Sequence, residues 1–168
     1  FRIHEFPEEE LKYAFYAEYG KGHPVVGFLG EYDALPGLSQ KGGSMVKEAV
    51  GASEPGHACG HNLIGTSAYA SALAVKKYLE DTGKEGTVRF YGCPQEELLD
   101  GKVLMAKYHA FDGCDAAFSY HPWNANLPVY QGFLAMNNLK FHFTGISSHA
   151  GQAPAQGRSA LDAVELAN

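Results

Sequence analysis

Two histidines and a cysteine fall within five residues of GHACGHNLIGT, at His57, Cys59 and His61. Thiolate and imidazole are the side chains that take Zn²⁺ and related first-row divalent ions most readily. Four more residues of metal-binding type lie elsewhere: Asp33 in GEYDALP, Glu96 and Glu97 in YGCPQEE, and His121 in SYHP. Each has an ordinary reading by itself. Cys59 could be a small buried hydrophobe, Glu96–Glu97 a solvated pair at a helix start, and Asp33 a turn residue ahead of Pro36-Gly37. His121 could be a loop residue before Pro122, and His57 could serve only a local hydrogen bond. Together they read differently. A thiolate, imidazoles and a carboxylate make a divalent-metal site, and a second adjacent glutamate is what a hydrolase needs as a base beside it.

These residues must be carried by elements that converge. VVGFLG at 25–30 is a short apolar run of buried-strand type, TVRFYG at 87–92 a second and DAAFSY at 115–120 a third. Between them, Asn62 to Asp81 places Leu63, Ile64, Ala68, Ala72, Val75 and Leu79 mostly at helical spacing, with Gly83 as its stop. Glu96 to Tyr108 reads as a second helix. Alternating strands and helices predict an α/β fold with a largely parallel sheet covered by helices. In such sheets ligands bind outside the carboxyl ends of the strands. Asp33, Glu96–Glu97 and His121 each follow a strand, and Cys59 and His61 open the first helix, so four loops bring metal-type ligands to one edge.

The pattern changes near residue 130. QGFLAMNNLKFHFTG alternates, with Leu139, Phe141 and Phe143 on one side and Lys140, His142 and Thr144 on the other, as a strand would. RSALDAVELAN then reads as an amphipathic helix. The expected division is 1–132 for the first module and 133–168 for the opening of a second, with the chain read as a fragment.

Composition excludes several classes. At 168 residues, 45% hydrophobic and 19% charged, the chain is ordinary globular material of about one domain. No apolar run reaches the roughly 20 residues of a membrane span. A net charge of −6 disfavours nucleic acid and anionic membrane as partners. Three widely spaced cysteines make no disulfide scaffold, so a reducing cytoplasm is expected.

In order and spacing, GEYDALPGLSQ, GHACGHNLIGT, GTVRFYGCPQEE, SYHPW and GISSHAGQAPAQGRSALDAV resemble the co-catalytic metallopeptidases of clan MH, and among them the aminoacylase-like amidohydrolase branch. The resemblance implies a di-metal peptidase catalytic domain interrupted by a smaller α+β lid that dimerises. It also implies two divalent ions, Zn or Mn, with Cys59, His61, Glu97 and His121 as ligands and the Cys59 thiolate placed to bridge. Glu96 would be the general base, Asp33 would orient a ligand, and His57 would either support a ligand or be structural. His149, in SSHAG, would reach an active site from the lid, often that of the partner copy, to steady the substrate carbonyl. The implied reaction is hydrolysis of an N-acyl or N-aroyl amino acid by a water that the ions acidify. A broader dipeptidase, or a non-catalytic binding subunit with a relict metal site, are the competing readings. The partners implied are a small-molecule amide substrate and a second copy or related subunit.

The sequence also departs from that family. Glu31 stands where many members have His or Asp, Asn62 where the branch has Asp, and Leu98-Leu99-Asp100 where relatives are glycine-rich. The family's last metal-binding histidine belongs to a returning segment not found in these 168 residues, which are expected to be inactive alone. Trp123 and Tyr130 could stack on an aromatic acyl group or simply pack; Arg158 could pair a substrate carboxylate or be solvated.

Overall fold

Apolar β-branched and aromatic runs form the middle of the sheet, as their composition dictates. A computed structural model describes residues 1–128, 132 and 134–167. In it β3 (Val25–Glu31), β4 (Gly86–Cys93) and β5 (Ala116–Phe118) lie parallel, with β3 between the other two. Two strands precede them: β1 (Arg2–Glu5) and β2 (Phe15–Lys21). They add antiparallel beyond β4, giving a mixed sheet of order β1-β2-β4-β3-β5. The fold is therefore α/β with a mixed rather than purely parallel sheet.

Helix α1 (His61–Thr82) crosses from β3 to β4 and buries His61, Ile64, Ala68 and Ala72 as one stripe. It stops at Gly83, whose left-handed backbone (φ 64°) returns its N–H to Leu79 O. Two glycines bring the helix close to the sheet. A Cβ on Gly65 would stand 2.9 Å from Glu31 O, and one on Gly30 would stand 3.3 Å from the Gly65 Cα. The first turn of α1 thus lies directly over the end of β3. On the opposite face Tyr91 and Cys93 of β4 pack with Leu11, Ala14, Met105 and Ala110 in a buried cluster.

The segment after β4 differs from a continuous helix. Gln95 (φ 59°) and Leu99 (φ 60°) are both left-handed and frame a single 3₁₀ turn, Glu96–Leu98; α2 then runs over Gly101–Lys107. For non-glycine residues each such excursion is unfavourable by about 1–2 kcal/mol. Strain of this kind persists where the surroundings impose it, often at functional sites.

The chain divides into two compact units, Phe1–Asn126 and Leu127–Asn168. The second contains the bridge Ile146–Arg158, a 3₁₀ turn Pro154–Gln156 and α3 (Ala160–Ala167). Ser159 Oγ accepts the Asp162 N–H at 3.1 Å, capping α3. The alternating stretch from Leu134 to Thr144 forms no strand. Alternation supplies the side-chain pattern, but a strand also needs an edge to pair with, and none of the described residues offers one there. Tyr130 lies outside the described residues.

Candidate metal centre

His61 follows a left-handed entry into α1: Gly60 has φ 90°, and a side chain there would meet Pro122 at 2.9 Å. The His61 ring is fully buried. Its Nδ1 stands 2.9 Å from Asp33 Oδ1 and 3.1 Å from Asp33 O, both acceptors, so Nδ1 is the donor to Asp33 and Nε2 is turned to the other side of the ring. Asp33 Oδ2 in turn accepts the Glu97 N–H at 3.0 Å. One carboxylate thereby fixes both the ring and the backbone of the acidic turn.

Three carboxylates face the free His61 Nε2: Glu31 Oε2 at 3.3 Å, Glu96 Oε2 at 3.4 Å and Glu97 Oε1 at 3.9 Å. His61 Nε2, Glu31 Oε2 and Glu97 Oε1 are buried and make no hydrogen bond. Buried carboxylate oxygens crowded round an imidazole nitrogen without a hydrogen bond among them are unfavourable unless a cation joins them. Burial pushes the Glu96 carboxyl up, the Glu31 charge adds to this and Lys102 opposes it.

Beside this group Cys59 Sγ lies 3.3 Å from His121 Nε2. His121 Nδ1 is 2.9 Å from Pro122 O and donates to it, which leaves Nε2 free to coordinate. Burial and then the charges of Glu97 and Glu96 push the Cys59 thiol up, so a thiolate here also calls for a nearby cation. Cys59, His61 and His121 bring ligand atoms within 4.8 Å of one another, as do Glu31, His61 and Glu96. The donor set, imidazole and thiolate beside clustered carboxylate oxygens, fits divalent transition metals.

Asp33, Cys59, His61, Glu96, Glu97 and His121 are therefore brought together at the carboxyl ends of β3 and β4. His57 is exposed and stays out of both groups. Trp123 is exposed and edge-on to the His121 ring at 6.4 Å. His149 belongs to the second unit and is exposed there. Its Nδ1 accepts the N–H groups of Gly151 and Gln152, both at 3.1 Å, so its Nε2 is the donor. Arg158 is also in the second unit. Sequence reasoning did not place Glu31 among the ligand-type residues, nor Lys102 beside it. The signal for Glu31 was its position two residues before Asp33, on the same face of an extended segment. Nothing local points to Lys102, which meets Glu31 only through the fold.

No helix of the described residues is long and apolar enough to cross a membrane. Residues 27–155 match the family model for peptidase family M20/M25/M40. The chain is 51% identical over 153 residues to the p-aminobenzoyl-glutamate hydrolase subunit designated B of Escherichia coli (strain K12), covering 91% of this chain and 32% of that protein. It is 34% identical over 170 residues to the Xaa-Arg dipeptidase of Mus musculus, covering 96% of this chain and 35% of the relative. Among solved structures it is similar to a dinuclear metal-binding peptidase of the M20 family from Bacillus subtilis, with TM-score 0.58 and 27% identity over 76% of this chain and 34% of that one. It spans about a third of the length of these relatives. A buried, cation-seeking cluster at the strand ends, a family match over most of the chain and a dinuclear structural relative agree: the chain belongs to peptidase family M20/M25/M40.

Proposed function

We propose that the protein containing this chain is a metal-dependent amidohydrolase that cleaves N-aroyl or N-acyl amino acids, p-aminobenzoyl-glutamate foremost. The observation that carries this reading is that His61 joins two groups of metal-ligating atoms, one with Glu31 and Glu96 and one with Cys59 and His121, while His61 Nε2, Glu31 Oε2 and the nearby Glu97 Oε1 are buried without hydrogen-bond partners. The 51% identity to a p-aminobenzoyl-glutamate hydrolase polypeptide supports the choice of substrate.

Two divalent ions, Zn or Mn, would supply Lewis acidity and an acidified water. Cys59, His61, Glu97 and His121 would hold them, and Asp33 would keep the His61 lone pair aimed inward. Glu96 would take the water's proton and return it to the leaving amine. His149 Nε2, fixed as a donor by its own loop, would hydrogen-bond the carbonyl oxygen as charge grows there. Residues 133–168 would open a lid through which two copies, or this chain and a related one, assemble; the relatives include the companion polypeptide of the same hydrolase, designated A, at 28% identity. A cytoplasmic location belongs to the same proposal.

The dipeptidase reading has its own support in the Xaa-Arg relatives. Metal-loaded full-length protein offered p-aminobenzoyl-glutamate, N-acetyl amino acids and Xaa-Arg dipeptides separates the two by relative kcat/KM. Hydrolysis of none of them, with metal content verified, would sink both.

A further inference from the structure

Glu31 is not among the four ligands assigned above, although its Oε2 is one of the unpartnered atoms of the centre; it is only 7% exposed and ends β3 against the first turn of α1. Its carboxylate is used asymmetrically. Oε1 accepts from the ammonium of Lys102, near the start of α2. Oε2 makes no hydrogen bond and lies 3.3 Å from His61 Nε2. The terminal torsion of a glutamate is soft and broad, so an unanchored Glu31 would not keep one oxygen on the ring nitrogen. Lys102 removes that freedom. Its side chain is 30% exposed and reaches the carboxylate from the flank, so its charge sits on the oxygen away from the imidazole.

We propose that Glu31 gives its free oxygen to the ion held at His61, and that Lys102 is the positioning residue that aims it. This rests on the metal-dependent reading of the centre and adds a donor to it. Two opposite expectations follow for Lys102. As a mere counter-charge it would repel a dication, and its removal would tighten metal binding. As a positioning residue its removal loosens binding.

The sign decides. Full-length protein is stripped of metal and titrated with Zn²⁺ or Mn²⁺ against a chelating indicator, a readout independent of turnover. Glu31→Gln and Lys102→Gln should each weaken binding by ~10–100-fold, the range seen when a partner that orients a ligand is lost. Lys102→Arg, which keeps the cation, should recover most of the affinity. The double variant should bind no more weakly than Glu31→Gln, because Lys102 acts only through that carboxylate. Should Lys102→Gln fold poorly by circular dichroism, Lys102→Met, which keeps the aliphatic stem, replaces it in the same comparison. Unchanged or tighter binding without the lysine, or additive losses in the double variant, overturns the proposal. A parent that takes up no divalent ion overturns the hydrolase reading itself, a result distinct from variants that match a metal-loaded parent.

Discussion

Two polar clusters are set into the same sheet, and their hydrogen bonding differs in kind. Around Arg89 of β4 the groups answer one another: Nε donates to Glu18 Oε2 at 2.7 Å, and one terminal nitrogen donates to Asp112 O at 2.8 Å and Tyr91 Oη at 3.3 Å. Tyr91 Oη in turn lies 3.2 Å from Cys114 Sγ. Burial, with the Cys114 contact adding to it, pushes the Tyr91 phenol up, so it stays a neutral donor. Around His61 the groups share the same chemistry but leave three buried atoms without partners. A closed network ties strands together, whereas an open one of like charges is tolerable only if something outside the chain completes it. The Arg89 cluster is thus structural and the His61 cluster ligand-directed, though each combines at least one carboxylate, a cationic or imidazole side chain and a cysteine.

The contrast breaks most sharply at the two neighbouring glutamates. In the full-length protein Glu96→Gln should lower turnover by ~10²–10⁴ with metal retained, whereas Glu97→Gln should lose metal and only thereby activity. Metal analysis beside kcat checks this, and the opposite pattern would exchange their roles. His149→Ala should lower kcat by ~10²–10³ at unchanged metal stoichiometry; loss of metal would place His149 among the ligands instead. Loading the open cluster should stabilise the fold, by about 2.7 kcal/mol at free metal 100 times its Kd. Thermal unfolding with and without Zn²⁺ or Mn²⁺ measures this, and His61→Ala should abolish the gain. The smallest effect belongs to the closed cluster. Arg89→Met should destabilise by ~1–3 kcal/mol, since Glu18 is left unpaired, yet bind metal as the parent does. A loss of metal there would erase the distinction between the clusters.

Much of this arrangement is legible in the sequence because strand ends in an α/β sheet converge whatever their separation along the chain. Runs such as VVGFLG and TVRFYG need no partner to be recognised, and Asp33, Glu96, Glu97 and His121 each follow one. The antiparallel strands β1 and β2 are not legible in the same way. Their residues are mostly half-buried or exposed, so no apolar run marks them. Glu96 to Tyr108 carries a helical pattern, but left-handed residues at Gln95 and Leu99 break it, and neither is a glycine that would advertise the turn. Leu139, Phe141 and Phe143 show the reverse: a strand's pattern without a neighbouring edge among the described residues. The pairing of Lys102 with Glu31 joins positions 71 apart and follows from the fold alone.

The glycines where α1 meets β3 give the centre an unusual kind of vulnerability. Truncation scanning deletes atoms and looks for lost function, but at Gly65 and Gly30 the space is already filled by the neighbouring backbone and side chains. The lesion there is a gain of one methyl group. At Gly65 it would press on the Glu31 carbonyl and push the helix entrance away from the strand end, moving His61 relative to Glu31 with every ligand still present. A survey for inactivating changes that scores only missing functional groups would pass over these two positions.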